Sequence, residues 1–334
     1  MQYLTPGLAF LFSLAATLLL TGILVRALRQ RQIFDLPNER SSHENPTPRG
    51  GGIAVIAVVL AAAALIALLS KPAPAGLWPV LAGAGLLAGI SWLDDLKGMS
   101  ALPRLAAQGA AVALGLAFVP SESLVFQGLL PELADRLLAG LLWIWFVNLF
   151  NFMDGIDGIA GVEAACIGAG LFVVLQGLGG YAELGLVALA TAGAALGFLW
   201  WNWQPARIFL GDVGSVPLGY LLGWLLLSAA AAGAWAPALI LPLYYIADAS
   251  LTLVRRLLRG ERIWAAHRQH AYQRAVQAGM SHAQTVCVIA VGNVALIGLA
   301  VVAASGWPIA ALGVSGFVVL LVLFALHRAP GKGT

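Results

Sequence analysis

The chain has 334 residues, of which 60% are hydrophobic and only 10% charged, with a formal net charge of +3. Soluble domains carry about a quarter charged residues, so this composition excludes an ordinary soluble globule and points to a chain that crosses a membrane many times. No polar segment is long enough to fold separately, so residues 1–334 read as one integral membrane domain.

The opening "MQYLTPGLAFLFSLAATLLLTGILV" lacks a basic n-region and runs too long for a signal peptide, which predicts a retained first helix. A helix needs roughly 20 apolar residues to cross a bilayer core. On that measure the candidate spans are 4–25, 51–70, 76–93, 101–119, 136–150, 159–176, 183–202, 213–232, 236–254, 284–303 and 308–326, about eleven in all. Continuous apolar runs exclude the alternating pattern of a membrane barrel, so the expected fold is an all-α polytopic bundle.

Basic residues set the expected orientation. With the N-terminus outside, the connections 26–50, 94–100, 151–158, 203–212 and 255–283 and the tail "HRAPGKGT" share one side. Of the 18 Lys and Arg, only Lys71 and Arg136 then fall opposite, Arg104 being counted at the start of its helix. These connections and the C-terminus are therefore expected in the cytoplasm and the N-terminus in the periplasm. Asp94, Asp95, Asn148, Asn151, Asp154, Asp157, Asp212, His267 and His270 all come to this one face.

Taken in chain order, "PNERSSHENPTPRGGG" sets Arg49 against three glycines. There backbone can approach an anionic ligand, or a turn simply enters the second helix. In "WLDDLKGMS", Asp94 and Asp95 sit close enough to repel unless a cation intervenes. Such a pair suits Mg²⁺ or a base that takes a proton from a phosphate; a solvated helix end countered by Lys97 is the structural alternative. In "NLFNFMDGIDGIAG", Asn148, Asn151, Asp154 and Asp157 recur every third residue and step around half a helix circumference. That is a poor lipid-facing surface and a good cavity wall, although one aspartate can also cap the following helix. In "RIFLGDVGSVPLG", Asp212 stands between glycines at the start of an apolar run, where it can cap the helix or hold a hard cation near a phosphate. Phe209 can stack on a base or face lipid.

Asp248, about two turns before Arg255, reads as a structural partner inside the bundle. In "LVRRLLRGERIWAAHRQHAYQ", Arg255, Arg256 and Arg259 suit a topological role. His267, Arg268 and His270 are harder to assign to topology and form a candidate phosphate site. Cys166 and Cys287 lie in apolar runs and read as small membrane residues, not a disulfide or metal pair. No P-loop, dinucleotide-binding glycine motif, nucleophile elbow or zinc signature is present. Carboxylates and amides favour Mg²⁺ or Mn²⁺, and with clustered Arg and His they point to phosphoryl or phosphoglycosyl transfer on a metal-bound phosphate.

Taken together, "PTPRGGG", "DDLKGMSALPRLAAQ", "NLFNFMDGIDGIAG", "FLGDVGSVPLG" and the Arg/His loop resemble, in order, the motifs of the polyprenyl-phosphate N-acetylhexosamine-1-phosphate transferases. These are the WecA- and MraY-like enzymes of glycosyltransferase family 4. "PNERSSHENPTPRGGG" and "AHRQHAYQ" look most similar to the O-antigen-initiating WbpL branch. The resemblance implies transfer of an N-acetylhexosamine- or N-acetylfucosamine-type sugar 1-phosphate from a UDP-sugar to undecaprenyl phosphate. UMP would be released, starting O-antigen, lipopolysaccharide or a related surface glycan at the cytoplasmic face of the bacterial inner membrane.

By the same resemblance Mg²⁺ bridges the donor diphosphate, with Asp212 as metal ligand and Asn151 in support. Asp94 and Asp95 match the acidic catalytic pair, one proposed to deprotonate the lipid phosphate; Asp94 as a covalent nucleophile stays open. Asp154 and Asp157 match other acidic cleft positions, Phe209 and Gly211 the uracil-contacting stretch. His267, Arg268 and His270 match the pyrophosphate-binding loop, where this chain has "HRQH" in place of His-x-His-His. Asn148 and Arg49 complete the expected substrate contacts. No nucleic-acid partner is expected, and the apolar outer face would meet lipid or a second copy in a homodimer. The rival reading, a proton-coupled or lipid-linked-sugar transporter with the acids as a relay, predicts acids through the bilayer depth and an internal repeat, and neither is visible.

Overall fold

The computed structural model describes residues 4–35, 46–118, 124–262 and 267–328. Parts of three expected segments lie outside them: 36–45 of the first connection, 263–266 of the last, and the tail beyond Arg328. In chain order the elements are α1 (Leu4–Gln30), β1 (Phe34–Asp35), β2 (Thr47–Pro48), α2 (Gly52–Leu69), α3 (Leu77–Lys97), α4 (Ala101–Ala117), α5 (Glu132–Phe152) and α6 (Ile159–Gln176). There follow α7 (Ala182–Asn202), α8 (Asp212–Ala231), α9 (Trp235–Ile240), α10 (Leu243–Leu258), α11 (Ala271–Gln277), α12 (His282–Ala304) and α13 (Pro308–His327). Among the described residues nine helices are long and apolar enough to span a bilayer. The protein is a polytopic all-α membrane protein, as its composition requires.

Two expected spans differ. The run at 101–119 forms only the 17-residue α4, which at 1.5 Å per residue reaches about 25 Å and falls short of a typical core. The run at 236–254 is not one helix but α9 and α10, broken at Leu241 and Pro242. Proline has no N–H to donate and its ring collides with the preceding turn, so the helix restarts after it. Beyond the break, Tyr244, Tyr245, Asp248, Thr252 and Arg256 face inward, while Leu251, Val254 and Leu257 face outward.

Helix α8 is the axis of the bundle, 89% buried against 22% for α1 and 28% for α13. Lipid tails do not drive apolar helices together, so close approach through small residues does. A Cβ on Gly219 would meet Val147 and Phe150 of α5, and one on Gly223 would meet Trp143. Trp143 stacks on Tyr220 of α8 at 4.7 Å and donates its indole N–H to the Tyr220 carbonyl at 2.8 Å. Tyr220 in turn donates to the Ala111 carbonyl of α4 at 2.8 Å, tying three helices at one level. At the end opposite the acidic motifs, Asp135 accepts the Val125 and Phe126 amides at 3.0 and 2.8 Å, a structural use of a buried acid.

The helices place the polar motifs at one end. Asp94 and Asp95 lie in the last turn of α3, not in the connection after it. The helical periodicity expected over Asn148–Asp157 stops at Phe152: Asn148 and Asn151 belong to α5, and Asp154 and Asp157 to an irregular turn. Gly158, with φ +83°, starts α6 from a left-handed conformation that side chains rarely adopt. Neither cysteine is paired; Cys166 is half-buried and Cys287 faces outward.

Candidate active site

A strap ties the first glycine-rich segment to the start of α8. β1 pairs antiparallel with β2, Phe34 opposite Pro48. The chain then runs parallel to 208–211: Phe209 donates to the Pro48 carbonyl at 2.8 Å, and Gly51 donates back to Phe209 at 2.8 Å. The Gly52 amide reaches the Leu210 carbonyl at 2.8 Å. Glycines are required because two backbones touch: a Cβ on Gly51 would strike Phe198, and one on Gly52 would overlap the Gly214 backbone. "PTPRGGG" therefore serves the α2–α8 crossing, and that crossing aims Arg49 into the site.

Arg49 bridges Asp95 at 2.8 Å and Asp212 at 3.1 Å. Burial works against its charge, but Asp95 and Asp212 outweigh it and hold the guanidinium's pKa above its ordinary value. Asp95, its side chain 2% exposed, also accepts the Asp212 and Val213 amides at 3.1 and 3.0 Å. It thus caps the N-terminus of α8, whose first amides have no partner in the helix. Its neighbour Asp94 turns elsewhere: it accepts the Met99 amide and Arg104 at 3.1 Å. Arg104 also reaches Asp212 at 3.5 Å, so one guanidinium bridges Asp94 and Asp212. Arg104 for Asp94 and Arg49 for Asp95, not Lys97, are the counter-charges of the acidic pair.

Asp212 opens onto a cleft of about 480 Å³ shared with Arg49, Arg104, Asn151, Asp154, Asp157, Phe209 and Gly211. Asn151 accepts from Ser215, one turn into α8, at 2.6 Å. Burial pushes the Asp154 carboxyl up to about 7; Asp212 adds to the rise and Arg49 opposes it. Asp157 is committed to the scaffold, accepting the Ala206 amide at 3.0 Å and facing His282 at 3.4 Å. Beside it Asn202 accepts the Gly158 amide and donates to the Ile208 carbonyl, both at 2.9 Å, fixing two loops together.

The structure does not bring every expected residue here. Asn148 turns toward α4 and donates to Gln108 at 2.7 Å. His270 is buried beside Tyr272, its ring 5.8 Å away and parallel, with Nδ1 3.7 Å from Asp248. His267 packs on His270, and Arg268 lines a different pocket. From this segment it is instead α11 that reaches the site: Gln273 lines the cleft, and Tyr272 donates to the Phe152 carbonyl at 3.2 Å. Asp248 holds α11 in place by accepting its Ala271 amide at 2.8 Å, the structural role expected of it but with a different partner from Arg255. Sequence reasoning missed Arg104, Asn202, Gln273 and His282 as cleft residues. Only Arg104 carried a signal, as a lone cation at the head of an apolar helix.

Among the described residues no three His, Cys, Asp or Glu side chains form a ready metal cage. The donor set nevertheless suits a hard cation. Asp94 and Asp212 share the Arg104 guanidinium, Asp95 and Asp212 share Arg49, and Asp154 lines the same cleft as Asp212. Mg²⁺ is bound by one or two carboxylates plus waters and phosphate oxygens, not by a full protein cage.

The family model described as glycosyl transferase family 4 matches residues 77–230. The decaprenyl-phosphate N-acetylglucosaminephosphotransferase of Mycobacterium leprae is 30% identical over 309 residues, 81% of this chain and 76% of its own. This chain belongs to glycosyl transferase family 4. Another relative is the probable undecaprenyl-phosphate N-acetylglucosaminyl 1-phosphate transferase of Bacillus subtilis, 29% identical over 84% of this chain and 80% of its own. The phospho-N-acetylmuramoyl-pentapeptide-transferase of Mycolicibacterium smegmatis is 32% identical over 63% and 72%. The family 4 match takes in Asp94, Asp95, Arg104, Asn151, Asp154 and Asp212, while Arg49 and α11 stand outside it.

Proposed function

We propose that this family 4 member transfers an N-acetylated sugar 1-phosphate from a UDP-sugar to undecaprenyl phosphate, releasing UMP, at the cytoplasmic face of a bacterial inner membrane. The observation that carries the reading is the bridging of Asp94, Asp95 and Asp212 by Arg49 and Arg104 beside a cleft that Asp212 and both arginines line. A nucleotide diphosphate cannot enter a cleft with surplus carboxylates unless a cation offsets the charge. Asp212 and Asn151 would hold Mg²⁺, which when bound neutralises charge on the diphosphate as it transfers.

The chain's own groups do the rest. Arg49 and Arg104 stand where phosphate oxygens would lie, and Phe209 offers an aromatic surface for the uracil. Asp94 accepts the proton of the lipid phosphate, whose oxygen attacks the sugar-linked phosphorus while the bond to UMP breaks. Single displacement, with Asp94 as proton acceptor and not as covalent nucleophile, is the preferred course. Asp95 positions Arg49 and α8. An apolar groove of about 600 Å³ beside α5, α8 and the α9–α10 break, lined by Trp143, Phe146, Leu226, Trp235 and Ile246, suits a polyprenyl chain. The names of the relatives support N-acetylglucosamine as a donor sugar, and the WbpL-like motifs support an O-antigen role.

The test is a panel of UDP-N-acetylglucosamine and other UDP-N-acetyl sugars, given to purified protein with undecaprenyl phosphate and Mg²⁺. Mass detection of a lipid diphosphate sugar with at least one donor is the expected result. No product with any donor would sink the reading.

A further inference from the structure

A second pocket, of about 660 Å³, lies at the cleft end of the bundle but behind the cleft, between α10, α11 and α13. The short helix α11 separates the two. It sends Gln273 into the cleft, and Arg274 and Gln277 into the pocket. Arg255 from α10 and Arg259 just after it, with His327 at the end of α13, complete a cationic lining. The arginines of this region are not alike. Arg256 is buried and held at 2.9 Å by Glu261, which also binds Gln269, so it is a structural arginine and not a topological one. Arg255, Arg259 and Arg274 are exposed, and among the described residues none of them makes an ion pair. The pocket's acid, Asp248, is spent on the α11 amides and Tyr244.

We propose that this pocket is a headgroup site for an anionic phospholipid in the leaflet at the cleft end. Guanidinium groups converging on one cavity match phosphate oxygens in number and shape, whereas charge serving topology alone has no reason to converge. The walls supply the second half of the recognition. Leu251 and Leu323 line the pocket itself, and Leu258 and Phe324, each next to a lining residue in the chain, have their side chains exposed on the outer surface. A soluble anion has no use for that apolar skirt; acyl chains below a bound headgroup do.

The test uses the full chain in neutral detergent and reads melting temperature, not turnover, so it stands apart from the transferase reading. Phosphatidylglycerol should raise the melting temperature of the wild type by several degrees, while phosphatidylcholine and inorganic phosphate should not. The triple variant R255Q/R259Q/R274Q should lose at least half of that rise. The control R26Q/R29Q/R31Q, which removes as many exposed cations from the end of α1 and the turn after it, should keep it. Equal loss in the control, full retention in the pocket variant, or equal protection by inorganic phosphate would overturn the site. Should the pocket variant not fold, a photoreactive phosphatidylglycerol on the wild type decides the matter. Labelling on 251–259, 271–277 or 323–328 supports the site, and labelling only elsewhere refutes it.

Discussion

Asp94 and Asp95 are neighbours in sequence, yet successive helical residues point about 100° apart, and the two carboxylates meet different partners. Asp95 closes the N-terminus of α8 and anchors Arg49, while Asp94 shares Arg104 with Asp212. Substituting each by asparagine should therefore give different defects. Asp94→Asn should cut kcat by about a hundredfold or more with little change in KM, as for loss of a general base. Asp95→Asn should lower the melting temperature through about 1–3 kcal/mol of lost stability, because an α8 amide then faces an NH₂. The reverse pattern in paired kinetic and thermal-unfolding measurements would reassign the base. The sequence made the pair legible, since two acids beside an apolar run need a reason. It could not divide their labour, because that depends on which way the last turn of α3 faces. Asp154 and Asp212 were legible on the same ground. Asn202 and His282 were not, since an amide or imidazole near an apolar helix end is an ordinary residue until the loops it ties are known.

At the scale of elements, glycine decides the site's geometry. The α2–α8 crossing leaves no room for a Cβ on Gly52, so Arg49 reaches Asp212 only because this residue is glycine. Gly52→Val should push the helices apart, cost about 1–3 kcal/mol as other overpacked contacts do, and lower activity through displaced Arg49. Thermal unfolding and turnover on the same preparation check it; unchanged values for both would show that the crossing is slack. Hydrophobic length alone located nine of the spans, but it is blind to a break that keeps its hydrophobicity. Pro242 was the available signal for the division into α9 and α10. The turn after Phe152 was disguised differently: polar residues at every third position imitate a helix, while Gly155 and Gly158 end it. The Arg/His segment, read from its composition as a substrate loop, divides into a buried His270, a pocket-facing Arg268, and α11, whose Tyr272 and Gln273 carried no signal of their own.

For the whole molecule, the gathering of acids, cleft and arginine pocket at one end makes orientation a functional statement. The expected cytoplasmic placement of that end follows from the basic residues it carries. In a background with Cys166 and Cys287 replaced by alanine, Lys97→Cys should react with a membrane-impermeant maleimide only after the cytoplasmic side is opened. Gly179→Cys, at the opposite end, should react in intact cells. The opposite labelling would turn the molecule over and deny the cleft its cytosolic nucleotide. The most direct test of the central claim, that the Asp212 cleft is where a sugar phosphate changes partners, is UMP release by purified wild type and Asp212→Ala side by side, both shown to be folded and monodisperse. The wild type should release UMP only with UDP-sugar, undecaprenyl phosphate and Mg²⁺ together, and the variant should fall by about a hundredfold or more. A variant that turns over within a few-fold of the wild type would place the chemistry somewhere else.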